Sequence, residues 1–339
     1  MKNLSEHNDF EKELFDFNIS SFEDKALDSF HFQYRENEVY RQFADLTGVL
    51  PSEVRTIKDI PFLPIRFFKS HEVKTGVFEP DAVFESSGTT STGNSRHFVK
   101  NLDLYRHSFL NGFKQYYGNP GDWCILALLP SYLERQNSSL VLMADELIKS
   151  SGHPDSGFYL NQFESLKHTL ERLEKQGQQT ILLGVTFALL DFSEACPMKL
   201  DYTVIMETGG MKGRKKEMTR EEVHVQLKRQ FGVSRIHSEY GMTELLSQAY
   251  SQGEGLLTTP PWMKILLRAE DDPLTVVDKS GRELSSGLIN VIDLANRYSC
   301  SFIATDDLGV KHGDGRFEII GRLDNSDLRG CSLLLGAGF

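Results

Sequence analysis

The chain is poor in cysteine, and the four it has are scattered: Cys124, Cys196, Cys300 and Cys331 in 339 residues. They show no metal-ligand spacing, so a zinc site is not expected and reduced thiols are. Long apolar runs are missing as well. No stretch is long enough to span a bilayer, and Met1–His7 lacks the apolar core of a signal peptide, so a cytoplasmic chain without membrane insertion is expected. Positive charge is in deficit, with a net charge of -11. That balance speaks against broad binding to nucleic acid or anionic membrane. The local basic cluster Lys212-Gly213-Arg214-Lys215-Lys216 reads as a solvated loop ahead of a helix. There is no internal repeat and no low-complexity linker.

Hydrophobic residues make up 40% and charged residues 25% of the chain, the composition of a globular protein with one large core or two moderate ones. Residues 9 to 47 carry aromatic and aliphatic side chains at helical spacing, ending at Leu50-Pro51. The proline-punctuated segment Ile60 to Lys69 cannot be a regular helix and reads as core packing under a loop. Apolar runs at 122–130, 180–184, 202–206 and 234–237 read as strands. They alternate with helices at 140–149 and 163–175, and with one opened by Thr219-Arg220-Glu221-Glu222, a capping box, and closed at Phe231-Gly232. After residue 255 short runs at 263–267, 274–277, 288–292, 302–305 and 317–320 are separated by Gly, Asp and Ser turns. An α/β fold with buried, helix-covered sheets and a smaller β-rich part is expected.

Four segments carry chemistry. Glu85-Ser86-Ser87-Gly88-Thr89-Thr90-Ser91-Thr92-Gly93-Asn94-Ser95-Arg96 gathers hydroxyls, glycines and a closing cation between two apolar flanks. Such a turn lets backbone N–H groups and hydroxyls converge on phosphates, and glycine permits close approach. The others are Glu207-Thr208-Gly209-Gly210 after a strand, His237-Ser238-Glu239-Tyr240-Gly241-Met242-Thr243-Glu244, and the pair Ala304-Thr305-Asp306-Asp307-Leu308-Gly309 with Gly321-Arg322-Leu323-Asp324. Taken singly, each has a plain alternative: Glu244 a helix-start residue, Asp306 a turn residue, Arg322 a surface ion pair, Tyr240 core.

In this order and spacing the segments resemble the nucleotide-binding motifs of the adenylate-forming (ANL) superfamily. The nearest resemblance is to its acyl-protein synthetase (LuxE) family and the related phenylacetate-CoA ligases. Pro61-Phe62-Leu63-Pro64, Phe67-Phe68-Lys69 and Asp327-Leu328-Arg329-Gly330-Cys331 favour the acyl-protein synthetase branch. The resemblance implies the large N-terminal domain of an adenylate-forming enzyme over 1–323. Within it lie a helical region (1–80), α/β sheets (81–255) and a β-rich subdomain (256–323), with a short tail at 324–339. It implies ATP and magnesium as cofactors and activation of a carboxylic acid, fatty by analogy, to an acyl-adenylate that passes to a thiol.

By the same resemblance Ser87, Thr89 and Thr90 hold the β- and γ-phosphates, with Arg96 as counter-charge and Ser86 and Gly88 as further cofactor-binding residues of the loop. Thr243 meets the α-phosphate and Glu244 binds magnesium. Gly209 and Gly210 leave room for the adenine ring, Tyr240 stacks on its face, Gly241 is a further cofactor-binding residue, Asp306 takes the ribose hydroxyls, and Arg322 contacts ribose or phosphate. Leu128–Ser131 and Gly184–Phe187 are candidate lining for the acyl chain, or equally core.

Two departures from the pattern matter. The phosphate loop lacks the usual lysine, and beside the resembling family the chain is expected to lack the mobile C-terminal domain that follows the hinge. Cys331 is then a candidate acyl acceptor, or a small apolar residue in a strand. An acyl-CoA reductase-like protein or an acyl carrier protein is the expected partner. An acyl- or aryl-CoA ligase, or a non-catalytic subunit of a fatty acid reductase-type complex, are the rival readings.

Overall fold

A computed structural model describes residues 13–15, 22–86, 93–130, 136–160, 162–209, 218–270, 272, 274–277 and 281–323. Its centre is a six-stranded sheet built from β4 (Cys124–Leu128), β5 (Gly157–Phe158), β6 (Thr180–Val185), β7 (Thr203–Thr208), β8 (His237–Tyr240) and β9 (Ala249–Ser251). The spatial order is β5-β4-β6-β7-β8-β9, all parallel except the antiparallel β9.

Both faces of this sheet are buried, and the period-2 alternation of a strand sorts its side chains between two cores. Ile125, Ala127, Ile181, Leu183 and Met206 belong to one; Cys124, Leu126, Leu128, Leu182 and Ile205 belong to the other. The first face is covered by α4 (Leu102–Tyr117) and α5 (Ser139–Ser151), through Tyr105, Phe109, Leu142 and Met143. The second is covered by α6 (Phe163–Gln176), α7 (Thr186–Ala195) and α8 (Arg220–Phe231), through Leu166, Leu170, Leu189, Val223 and Leu227. Gly184 marks a close approach of α7 to the sheet. A Cβ there would lie 2.8 Å from Leu189 and 3.0 Å from Leu128, so a side chain would push the helix off the strand. The expected capping box is formed: Glu222 N donates to Thr219 Oγ1 at 3.2 Å and Thr219 N to Glu222 Oε2 at 2.7 Å.

A second, mostly antiparallel sheet joins β10 (Met263–Arg268), β11 (Ser286–Asp293), β12 (Phe302–Lys311) and β13 (Phe317–Arg322). Its far edge is β1 (Leu63–Pro64), paired parallel with Ile303 and Ala304. The proline-punctuated segment therefore supplies an edge strand, a place where a missing N–H is tolerated, and buries Phe62, Leu63 and Phe68. The helical N-terminal region breaks at Asn37 into α1 (Phe22–Glu36) and α2 (Glu38–Leu46), because the Asn37 side chain caps Tyr40 N at 3.0 Å. Phe67–Ser70 adds a single helical turn, α3.

Two expectations shift. The run at 234–237 is strand only from His237 onward. The run at 274–277 is not a regular strand but holds one isolated bridge, Val277 to Glu283. Asp272 draws it into a turn, accepting from Leu274 N at 3.0 Å and Thr275 Oγ1 at 2.6 Å, the local competition with sheet pairing that Asp side chains offer.

Candidate active site

The functional segments gather where the carboxyl ends of the parallel strands face the second sheet, the usual place for a ligand in an open α/β sheet. The hairpin of β2 (Ala82–Glu85) and β3 (Arg96–Val99) presents the phosphate-type loop. Ser86 closes its base: Ser86 N donates to Ser95 O at 3.1 Å and Ser95 N to Ser86 Oγ at 2.9 Å. Ser87, Gly88, Thr89 and Thr90 lie outside the described residues. Arg96 is exposed, its guanidinium 5.4 Å from the Phe98 ring centroid.

His97, one residue on, links this hairpin to the turn after β8. Its Nδ1 donates to the Thr243 carbonyl at 2.8 Å, and its Nε2 meets Asn296 Oδ1 at 2.9 Å. Asn296 Nδ2 in turn donates to the Glu244 carbonyl at 2.7 Å. Burial pushes the imidazole down to about 4, against the pull of those two contacts. The same turn is fixed from behind by Asp293, a fully buried carboxylate at the end of β11. It accepts from Leu246 N at 2.8 Å, Ser247 N at 3.0 Å, Ser247 Oγ at 2.6 Å and Ala295 N at 3.1 Å. Thr243 is half-buried and Glu244 buried, so both side chains stand on a backbone that two elements hold in place.

A second group spans β8, β12 and β13. Tyr240 Oη donates to Asp307 Oδ2 at 2.9 Å, and Arg322 Nε lies 3.6 Å from Asp307 Oδ1. Burial holds the Tyr240 phenol well above its ordinary pKa, and the Asp307 charge adds to that. Asp306 is directed elsewhere, as adjacent strand residues are. Its carboxylate is 3.9 Å from Arg66 Nη2, and its carbonyl accepts from Leu323 N at 2.8 Å. The structure thus brings Tyr240 and Arg322 together with Asp307 rather than with Asp306.

Gly209, just past β7, has φ 72° in the left-handed region and is exposed. Its carbonyl lies 2.9 Å from Thr186 Oγ1, and that hydroxyl is also 3.0 Å from Glu207 Oε2. Glu207 Oε1 accepts from His224 Nε2 at 3.0 Å and Ser238 Oγ at 3.1 Å, a buried polar support under the glycine turn. Gly210 lies outside the described residues. Of the cysteines, Cys124, Cys196 and Cys300 are buried. Burial pushes Cys124 up to about 11 and Cys300 up to about 12, which leaves neither poised as a nucleophile. Cys331 lies outside the described residues, and so do Asp324 and the rest of the tail.

This architecture, an α/β sheet pair with the motif turns meeting between them, is that of the N-terminal domain of the adenylate-forming (ANL) superfamily. The chain belongs to the acyl-protein synthetase, LuxE, family, whose model matches residues 16–339. Among solved structures it is similar to ATP-bound MatB from Rhodopseudomonas palustris, with 16% identity and a TM-score of 0.51 over 71% of this chain and 48% of that one. It is also similar to the O-succinylbenzoate coenzyme A synthetase of Bacillus subtilis in complex with AMP, with 17% identity and a TM-score of 0.48 over 72% of this chain and 49% of that one. A third is a long-chain-fatty-acid-CoA ligase from Archaeoglobus fulgidus, with 17% identity and a TM-score of 0.47 over 75% of this chain and 53% of that one. The chain spans about half the length of these structures. No curated protein matches it.

Three supporting residues were not singled out from sequence. His97 meets partners far along the chain, Asp293 meets Leu246 and Ser247 far along it besides the nearby Ala295, and Asp307 differs from its neighbour only in which way it faces. Among the described residues no helix is long and apolar enough to cross a membrane.

Proposed function

We propose that this chain joins a carboxylic acid to ATP, forming an acyl-adenylate that then passes its acyl group to a thiol. One carboxylate oxygen of the acid attacks the α-phosphorus. The bond from that phosphorus to the bridging oxygen breaks, and pyrophosphate leaves. The observation that carries this reading is the convergence of Tyr240, Asp307 and Arg322 on one side with the Thr243–Glu244 turn, tied by His97 to the phosphate hairpin, on the other.

Asp307 is the carboxylate we assign to the ribose hydroxyls, its paired oxygens suiting a vicinal diol, with Tyr240 orienting it and offering its ring to adenine. Arg322 answers the sugar–phosphate charge, and Asp306 stands beside the site, next to Arg66. Thr243 donates to the α-phosphate and Arg96 balances the phosphate chain. Ser86 with Ser87, Gly88, Thr89 and Thr90 wraps the terminal phosphates, and Gly209, Gly210 and Gly241 keep the nucleotide's path clear. Donors fixed before the reaction stabilise developing phosphate charge without reorganising.

Among the described residues no cluster of three or more His, Cys, Asp or Glu forms a ready metal cage. Magnesium needs no such cage, since it takes one or two carboxylates and fills its shell with phosphate oxygens and water. Glu244 is the residue to hold it, and the ion when bound supplies charge neutralisation to the phosphates.

In the second step a thiolate attacks the acyl carbonyl and AMP departs with the electron pair. We assign the acceptor to Cys331 on the tail, with onward transfer to an acyl-CoA reductase-like protein or an acyl carrier protein, in the cytosol. The test is exchange of labelled pyrophosphate into ATP across a panel of carboxylic acids, with Glu244→Gln as control. Acid-dependent exchange that Glu244→Gln suppresses supports the reading. ATP binding without exchange for any acid refutes it and leaves a nucleotide-binding subunit.

A further inference from the structure

One buried polar row has no part in the scheme above. Thr208 on β7, Glu239 on β8 and Tyr250 on β9 are direct cross-strand neighbours, so their side chains share one face at the carboxyl end of the sheet. Thr208 Oγ1 donates to Glu239 Oε2. The other oxygen, Oε1, lies under Gly241. A Cβ built on Gly241 would stand 2.5 Å from Glu239 Oε1 and 3.3 Å from Gln248 Cγ. Gly241 itself is exposed, so the missing side chain leaves the carboxyl oxygen directly below a surface notch two residues from Thr243. Gln248 Oε1 and Tyr250 Oη are buried with no hydrogen-bond partner among the described residues, their residues 6% and 2% exposed.

Glu239 Oε1 and Gln248 Oε1 are acceptors short of a donor, and Tyr250 Oη can donate or accept. A purely hydrocarbon ligand laid over them would leave all three unsatisfied, which is costly for buried groups. We propose that Thr208, Glu239, Gln248 and Tyr250 form a polar floor to the acid pocket, and that the acid this chain activates bears a hydrogen-bonding substituent, a hydroxyl or an amino group, on its carbon chain. This rests on the adenylation reading and narrows its substrate. Burial raises the Glu239 carboxyl to about 7, so near neutrality it exists in both forms. It can then accept from a hydroxyl or ammonium, or donate to a hydroxyl oxygen.

The test uses the full chain and pyrophosphate exchange with straight-chain acids of graded length, each beside its 2-hydroxy, 3-hydroxy, terminal hydroxy and amino analogues. A site built to hydrogen-bond a substituent discriminates far more strongly than a hydrophobic slot. We therefore expect at least one substituted acid to exceed its parent in kcat/KM by about 100-fold or more. Glu239→Gln should cut that preference at least about tenfold, mainly through KM for the acid, and Glu239→Leu should turn it towards the plain acid. Tyr250→Phe should lower it less. Equal or better use of every plain acid by the wild-type chain overturns the inference, as does a preference untouched in both Glu239→Gln and Tyr250→Phe, which would mean that the row holds only water. No exchange with any acid overturns the adenylation reading and this inference with it; indifference to the substituent overturns this one alone.

Discussion

Replacing Glu239 with glutamine should stabilise the protein at alkaline pH and leave it unchanged in acid. The carboxyl is buried and its pKa rises from 4.5 to about 7, chiefly through desolvation, with the Thr208 hydroxyl pulling the other way. A group whose folded pKa lies above its unfolded value binds its proton more tightly when folded. Stability therefore falls as pH rises between about 4.5 and 7, and the full cost is present above that. The shift corresponds to about 3 kcal/mol at 1.36 kcal/mol per unit, less whatever the packing loses to an amide. Glutamine keeps an oxygen for Thr208 and cannot ionise. His97 and His237, each pushed down to about 4 by burial, titrate in the same window with the opposite sign, but they are common to both proteins and cancel in the difference. Urea unfolding of wild type and Glu239→Gln at pH 4.5, 6 and 8 gives the comparison. A difference near zero at pH 4.5 that grows by about 2–3 kcal/mol at pH 8 is expected; a difference that does not change with pH would refute the reasoning.

Four further outcomes follow from the same geometry. Asp307→Asn should raise KM for ATP about 10- to 100-fold, the worth of hydrogen bonds to a charged group, while Asp306→Asn changes it less than about threefold; steady-state kinetics that rank them the other way restore Asp306 to the ribose. Asp293→Asn sets an amide donor against four donors and should cost about 3 kcal/mol or more in chemical denaturation. His97→Ala unties the phosphate hairpin from the Thr243 turn and should lower kcat for pyrophosphate exchange at least about tenfold with little change in ATP binding measured by calorimetry; unchanged kcat contradicts the tie. Gly241→Ala drives a methyl into Glu239 and should lower stability by about 1–3 kcal/mol, a loss that the double change with Glu239→Ala reduces.

Much of the central sheet can be read from sequence because β4 is short and wholly apolar with Pro130 just beyond it, because β6 is apolar after Thr180 with Gly184 near its end, and because Thr219 and Glu222 form a purely local cap. The helix Leu102–Tyr117 lies outside the sequence expectations although it is legible: Tyr105, Phe109, Phe113 and Tyr117 repeat every four residues behind an Asn101 cap. Thr186–Ala195 was harder: Ala188, Leu189, Leu190 and Phe192 are all buried, so this helix has a weak polar face and little periodicity. The motif turns could be placed in order but not in register. Asp306 and Asp307 are neighbours on a strand whose pairing shifts at a bulge between Leu308 and Gly309, and only the fold decides which of them meets Tyr240. His97 has no local signature, since its partners come from other elements, and Asp293 has only the cap to Ala295 N, its other donors coming from Leu246 and Ser247.

The most direct test follows oxygen. With a carboxylic acid labelled with heavy oxygen in both carboxylate positions, attack on the α-phosphorus carries one labelled atom into AMP once the acyl group has been transferred. The account predicts singly labelled AMP and unlabelled pyrophosphate. Label in inorganic phosphate with release of ADP would show attack at the γ-phosphorus and contradict it.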